Sequence, residues 1–414
     1  MNDQTLARPH GKTSRRPESS DSLKTLSFQL SGKNFAEFFA GIGLMRLGLE
    51  KEGWSVAYAN DVDPLKKEMY VTQFGDAEAH FVLDDIHKIE AESIPTITLA
   101  TASFPCNDLS LAGARNGLAG GQSSAFWGFV RILNEMRNRR PPLILIENVP
   151  GFLTSHGGKD FRKAMIALNQ LGYAVDPFVL DALRFVPQSR KRLFIVGILS
   201  DLQDPNPQKQ LIFADSELRP PALTDFILWN SDIRWALRTL PSPPKKRTKL
   251  EDVLEPIPNS AAEWWPDKRA AYLLNQMSSR HRESAQRMID GANWSYGTVF
   301  RRVRNSKSMA ELRTDGIAGC LRTPRGGSGR QILFKAGKGK YFVRLLNGRE
   351  CARLMGAEGY KIEVRLNQAL FGFGDAVCVP VIRWIARNYL SPVLQELTIE
   401  GSQKAYGKKE AAVA

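Results

Sequence analysis

The stretch NFAEFFAGIGLMRLGLEKEG, residues 34–53, decides the fold. Its first six residues are a mostly apolar run of strand length. Gly41 and Gly43 interrupt that run, and MRLGLEKEG carries a helical pattern after them. Strand, glycine turn and helix together open a βαβ unit. The glycines allow a tight turn and let a ligand come close to the backbone. A lone G-x-G is equally a plain turn, so its neighbours must be read with it.

Working outward, further strand candidates are SVAYAN (55–60), AHFVL (79–83), ITLATA (97–102), LILIEN (143–148), AVDPFVL (174–180) and LFIVGI (193–198). Helical patterns lie between several of them, AFWGFVRILNEMRNR (125–139) being one. Strand and helix in alternation predict an α/β fold, a Rossmann-like parallel sheet with helices on both faces. The texture changes near residue 199. Prolines, basic patches and five tryptophans (Trp229, Trp235, Trp264, Trp265, Trp294) mark a smaller, irregular second region. Regular apolar patterning resumes near Ile317, and residues 369–390 end in a helix-like run. The expected division is a disordered lead-in at 1–33, a catalytic and cofactor-binding domain at 34–198 and a second domain at 199–365. A C-terminal return at 366–395 and a flexible tail at 396–414 complete it.

The bulk numbers narrow the partners. A chain of 414 residues with a net charge of +14 and a pI near 9.6 favours polyanions, nucleic acid first and anionic membrane surface second. Hydrophobic content of 43% and charged content of 24% are those of a globular protein. No apolar run approaches a membrane span, and the first residues lack the apolar core of a secretory signal. Four scattered cysteines, Cys106, Cys320, Cys351 and Cys378, offer neither a zinc pair nor a disulfide scaffold. A reducing cytoplasm fits, where thiols are free to be structural or catalytic.

Ligands of open α/β sheets bind at the carboxyl ends of the strands, and those ends are chemically loaded here. The first carries the glycine turn. The second ends at Asn60-Asp61, at a spacing that suits a carboxylate on ribose hydroxyls. The third ends at Asp84-Asp85-Ile86, where an acid can accept from an adenine amino group. Each acid taken alone is equally a solvated cap. In series they indicate an adenosine-containing cofactor, either NAD or S-adenosylmethionine. The fourth end carries Cys106 in SFPCN (103–107), past the strand and not inside it. The fifth carries Glu147 and Asn148, a carboxylate costly to bury unless paired or protonated. VPQSRKR (186–192) sets Gln188, Arg190 and Arg192 ahead of the next strand. Alternate arginines of an extended segment share one side, facing one anion or carbonyl, or forming a solvated basic rim.

Taken together these motifs resemble the cytosine-C5 DNA methyltransferase family. EFFAGIG, an acid after the second strand, DDI, FPCN, ENVPGF and PQSRKR occur in the family's order. LRTPRGGSGRQILF (321–334), RLLNGRECARLMG (344–356) and FGFGDAVCVPV (371–381) follow, and the likeness spans about 34–390. The resemblance implies a methyltransferase sheet with a smaller target-recognition domain, S-adenosylmethionine as cofactor and double-stranded DNA as substrate. Cys106 would attack C6 of cytosine, a task for which a thiolate is suited because it both adds and leaves readily. Glu147 would hold or protonate N3, Arg192 would contact the ring carbonyl, and Arg190 would brace the thiolate loop and a nearby phosphate. Phe39, Gly41, Gly43, Asp61, Asp85, Ile86, Pro105, Asp375 and Ala376 would hold the cofactor. Asn107, Ser110, Gln188, Arg325, Gly326 and Gly327 would face DNA, with KKRTK, RHRES and FRRVRNSK as candidate phosphate contacts. KKRTK alone reads better as a solvated connector. No metal is expected; a monomer is, with a restriction endonuclease or other defence protein as a further expected partner.

Three features depart from the family pattern: PCN for PCQ, EFFAGIGL for DLFAGxGG, and GDAV for GNAV or GNSV. None removes a catalytic side chain. A transfer-RNA cytosine methyltransferase of the same fold shares the catalytic motifs, but its CFT motif is absent. An inactive DNA-binding homologue is opposed by the intact Cys106, Glu147, Arg190 and Arg192. An NAD dehydrogenase leaves the cysteine, ENV and the paired arginines without a purpose.

Overall fold

The protein is described from a computed structural model, which covers residues 32–105, 124–199, 217–245, 248–304, 307–323 and 329–399. The apolar runs become strands β1 (Asn34–Phe38), β2 (Ser55–Asp61), β3 (Phe81–Leu83), β4 (Leu99–Ala102), β5 (Leu143–Asn148), β6 (Tyr173–Asp181) and β7 (Lys191–Leu199). They form one sheet in the order β3-β2-β1-β4-β5-β7-β6. Every residue of β4 and β5 is buried. That continuous burial is what helices on both faces of a sheet impose, and it explains why these strands read as unbroken apolar runs.

One expectation is corrected. The sheet is not wholly parallel: β7 runs antiparallel to both β5 and β6. Only residues 182–190 join β6 to β7. That is shorter than the crossover of roughly a dozen residues or more that parallel neighbours need, so β7 returns as a hairpin between β5 and β6. The strand order reverses between β1 and β4, which both pair in parallel with their neighbours. The crevice above that reversal is the ligand position of the doubly wound architecture.

Helices α1 (Leu44–Glu50), α2 (Pro64–Gln73), α3 (Ser124–Glu135) and α4 (Lys159–Gln170) follow their strands. Helix α5 (Pro221–Trp229) and the segment through Leu240 also belong to this body: Leu223, Ile227 and Trp235 lie in its core, and Val175 bridges Trp235. The region separate from the large sheet is thus narrower than 199–365. Its centre is an antiparallel sheet in the order β11-β10-β8-β9, built from β8 (Ser295–Arg304), β9 (Lys307–Arg313), β10 (Ile332–Gly337) and β11 (Lys340–Leu345). Helices α6 (Asp267–Asn275) and α7 (Ser279–Ile289) share a core with it.

After β11 the chain rejoins the large sheet through α8 (Gly348–Leu354), α9 (Leu366–Asp375) and α10 (Val379–Ile385). These helices share a core with Phe35, Ile42 and Leu44. The fit is tight: a Cβ at Gly48 of α1 would lie 2.5 Å from Ile382. The helical run Leu366–Ile399 is long and apolar enough to cross a membrane by length and composition, contrary to the reading of the sequence, but 61% of its apolar window is buried inside the fold.

A buried clasp secures this return. Asp176 of β6, fully buried, accepts from Arg219 at 2.6 Å, from the Arg238 backbone N–H at 2.9 Å and from the Tyr389 hydroxyl at 2.9 Å. Burying a charge is costly unless it is paired and hydrogen-bonded, and here one carboxylate ties three distant segments together.

Candidate active site

The glycine turn is shaped by backbone strain and close contact. Phe39 and Gly41 take φ 57°, and Gly43 takes φ 78°. A non-glycine residue held at such a φ costs about 1–3 kcal/mol, and such residues cluster at ligand sites. Gly43 is required by packing, since a Cβ would sit 2.4 Å from the Phe74 ring. Gly41 differs: a Cβ there would meet only Phe39 O at 3.9 Å and Lys66 Cδ at 4.0 Å. The space above Gly41 is therefore a cradle that a ligand can enter.

Asp61, at the end of β2, accepts from the Gly41 N–H at 2.8 Å and from the Asp63 N–H at 2.9 Å. It fastens the turn to the second strand, and each oxygen keeps a lone pair for a ligand hydroxyl. Burial pushes its carboxyl up, against the pull of Lys66 and the two N–H groups. Asp85 caps the short turn Ile86–Lys88 by accepting from His87 N–H at 3.0 Å. Ile86 is buried beneath α3, its Cγ2 2.8 Å from where a Gly128 Cβ would be. Between these acids, Val62 and Leu83 stay 66% and 41% exposed at the strand ends. An open apolar rim between two carboxylates fits an adenosine, which stacks its base and donates from its ribose and amino group.

At the end of β4, Phe104 is buried against Phe126 and Phe152. Its carbonyl accepts from the Asn148 side-chain amide at 3.3 Å. Asn148 so ties the segment before Cys106 to the end of β5, and Pro105 is exposed there. Cys106, Asn107 and Ser110 lie outside the described residues, as do Arg325, Gly326 and Gly327.

Glu147 and Arg192 meet on the adjoining strands β5 and β7. Arg192 Nε is 2.8 Å from Glu147 Oε1, and both side chains are largely buried. Arg190 lies two residues before Arg192 and turns inward. Its guanidinium donates to the carbonyls of Leu321 (2.8 Å), Gly374 (3.1 Å) and Ala376 (2.5 Å). Only 2% exposed, it is placed to brace backbone and not to meet a phosphate. Gln188 likewise corrects an expectation. It is fully buried, donates to Leu354 O at 2.7 Å and accepts from Leu321 N–H at 3.0 Å. A side chain in that position holds segments 318–321 and 354–355 together instead of contacting DNA.

Two participants were not singled out from the sequence. Cys320 Sγ lies 3.3 Å from Arg190 Nη1 and 4.0 Å from Arg192 Nη2. Burial acts to raise its thiol, but Arg190, Arg192 and Arg322 outweigh burial and hold it below its ordinary value. Lys66, on the first turn of α2, pairs with Asp375 at 2.9 Å. The available signal for Lys66 was the acid of GDAV, a carboxylate that a lysine can pair with. Asp375 follows Gly374, where a Cβ would lie 2.6 Å from the Arg322 carbonyl carbon, so the 320–323 segment and the C-terminal turn are in intimate contact. Among the described residues no cluster of His, Cys, Asp and Glu has the makings of a metal site.

The smaller body carries exposed basic residues. Arg280 and Arg282 of α7 and Arg302 of β8 are exposed, and Val303 beside Arg302 is 70% exposed.

The sheet and its glycine turn define a Rossmann-like methyltransferase fold. The crystal structure of S. pombe Dnmt2 methyltransferase is similar to the chain with a TM-score of 0.54 at 18% identity, covering 88% of this chain and 98% of that one. The Entamoeba histolytica methyltransferase EhMeth matches with a TM-score of 0.56 at 15% identity, over 87% and 97% of the two chains. Among sequences, the type II methyltransferase M.HhaI of Haemophilus parahaemolyticus is 28% identical over 367 residues, 87% of this chain and 95% of the relative. M.DsaV of Dactylococcopsis salina is 30% identical over 361 residues, 86% of each chain. The model of the C-5 cytosine-specific DNA methylase family matches residues 33–391, and the chain belongs to that family.

Proposed function

We propose that the protein methylates C5 of a cytosine extruded from a specific duplex DNA sequence, with S-adenosylmethionine as donor, in a restriction-modification or related defence system. The observation that carries this reading is the buried Glu147–Arg192 pair beside the end of β4, the strand that leads to Cys106. A cytosine presents an acceptor at N3, a donor at its amino group and an acceptor at its carbonyl. A carboxyl and a guanidinium side by side complement that edge.

In this reading the Cys106 thiolate adds to C6, and its electron pair makes C5 nucleophilic. Glu147 protonates or hydrogen-bonds N3, a form of assistance worth roughly 10²–10⁴-fold in rate. Arg192 binds the ring carbonyl while it orients Glu147. Arg190 positions the surrounding backbone. After the methyl group is on C5, a base takes the C5 proton, the C5–C6 double bond reforms and the thiolate departs. The residues present fit the cofactor: the cradle over Gly41, the carboxylate of Asp61 and the apolar rim at Val62 and Leu83 would hold an adenosine. The cofactor supplies the electrophilic methyl group.

Extruding the base costs a few kcal/mol, which backbone contacts from the smaller body must offset. Arg280, Arg282 and Arg302, with Arg325, Gly326 and Gly327, are proposed to make them. Asn107 and Ser110 are proposed to face the extruded nucleotide. Incubation with labelled S-adenosylmethionine and mixed-sequence DNA tests the reading. Label at cytosine C5, lost in Cys106→Ala, is expected; label at adenine N6, or none, refutes it. Bisulfite sequencing of DNA from an expressing host then reports the target sequence.

A further inference from the structure

Part of the aromatic content of the smaller body serves no core. Tyr296 of β8, Lys335 of β10 and Phe342 of β11 stand directly opposite one another on three neighbouring strands. Side chains so paired share one face of a sheet. The opposite face is the covered one, where Phe334, Ala336 and Val343 pack with α6 and α7. On the first face four rings surround the Lys335 ammonium. The centroids of Trp294, Trp264, Phe342 and Tyr296 lie 4.9, 5.8, 5.9 and 6.0 Å from it. Phe342 stands between the two indoles, 5.5 Å from Trp264 and 5.7 Å from Trp294. All five side chains are half-buried, and Trp294 and Phe342 belong to none of the hydrophobic clusters of the described residues.

The charge at the centre is unmatched. Lys335 donates to a neutral acceptor, Asn259 Oδ1, at 2.6 Å, and among the described residues no acid pairs with it. The charged group that acts on it is Arg344, another cation, itself tied to Glu350 at 2.5 Å. An unmatched cation on an aromatic surface suits a ligand that brings both negative charge and flat π faces. Unpaired nucleotides bring both: bases stack on the rings and a phosphate meets the ammonium. A duplex keeps its base faces inside the stack, and an acidic peptide brings the charge without the faces. Helices behind a four-stranded sheet and aromatic side chains in front of it are also the arrangement with which RNA-binding sheets stack bases.

We propose that the face formed by Trp264, Trp294, Tyr296, Lys335 and Phe342 is a binding site for single-stranded DNA. It uses none of the residues at the Glu147–Arg192 pair, so it is a second nucleic-acid site and stands apart from the reading of the catalysis. DNA is chosen over RNA because the chain belongs to a family of DNA methylases, and the net charge of +14 favours a polyanion.

The test is fluorescence anisotropy of labelled oligothymidylate with the full chain, a strand that carries no cytosine for the catalytic pocket. Trp294→Ala and Phe342→Leu are each expected to weaken binding by about tenfold, while Trp294→Phe keeps most of the affinity. Lys335→Met should weaken binding and reduce the salt slope by about 0.7, the value for one lost phosphate contact on a single strand. Affinity for an adenine–thymine duplex should not respond to Trp294→Ala. Denaturation midpoints check folding; if Trp294→Ala lowers its midpoint, Lys335→Met, which keeps every ring, decides. A wild type that does not bind oligothymidylate overturns the proposal, and so does affinity unchanged in both Trp294→Ala and Lys335→Met. Equal weakening of the duplex by Trp294→Ala overturns it as well, because a duplex offers no free base face. Tighter binding of oligouridylate than of oligothymidylate overturns the assignment to DNA.

Discussion

Arg192 Nε lies 2.8 Å from Glu147 Oε1, one strand across from it, and both side chains are almost wholly withdrawn from water. Neither can be altered without changing the other's surroundings. Glu147→Gln and Arg192→Met are each expected to lower the single-turnover methylation rate by roughly 10²–10⁴-fold. Residues that act as a unit are not additive. The double variant should therefore lose little beyond the worse single one, which rapid-quench kinetics on a cognate duplex will show.

Gln188 separates a structural role from a DNA contact. Gln188→Ala leaves the Leu321 N–H and Leu354 carbonyl without their partner in the interior. The expected loss is about 1–3 kcal/mol of stability for the groups left unsatisfied. The dependence of DNA affinity on salt should keep its slope, since no phosphate contact is removed. Urea denaturation and salt-titrated binding measure the two effects independently.

The Asp176–Arg219 clasp predicts a larger loss. Asp176→Ala removes the carboxylate partner of a guanidinium whose side chain is 1% exposed, and with it the acceptor of the Tyr389 hydroxyl. Breaking such a pair by removing one partner costs about 3–5 kcal/mol. Denaturant midpoints should fall accordingly. Replacing both Asp176 and Arg219 by apolar residues should cost less than Asp176→Ala alone.

Glu37 gives a pH signature. It lies in β1 at 2% exposure, and its Oε2 has no hydrogen-bond partner. Burial raises its carboxyl from 4.5 to about 8, against the opposing effect of Arg46. The folded chain thus holds a proton that the unfolded chain releases. Glu37's contribution is fully present below pH 4.5 and is lost as pH rises through about 8. Glu37→Gln, which stays neutral, should gain stability relative to the wild type as pH is raised from 6 to 9. Paired denaturant titrations at those two values check the sign; a constant difference would refute it.

Much of this was legible in the chain itself. The strands showed because burial on both faces makes LATA and LILIEN continuous apolar runs. The glycine turn showed because Gly43 has no room for a side chain and Gly41 is held at φ 57°. The placement of Glu147 and Asn148 at a strand end also followed, since a polar pair closing an apolar run can only mark its boundary.

Other features depended on neighbours remote in sequence. That β7 runs antiparallel was decided by the short 182–190 connection and the space between β5 and β6. Gln188 and Arg190 resembled a basic, DNA-facing segment until folding brought the carbonyls of Leu354, Leu321, Gly374 and Ala376 against them. Lys66 gained its meaning only from Asp375. Local pattern determines which residues form an element and which face of it is apolar. Whether a polar group on that element meets solvent, a ligand or a buried partner is decided by which other segments pack against it, and the chain order does not carry that information.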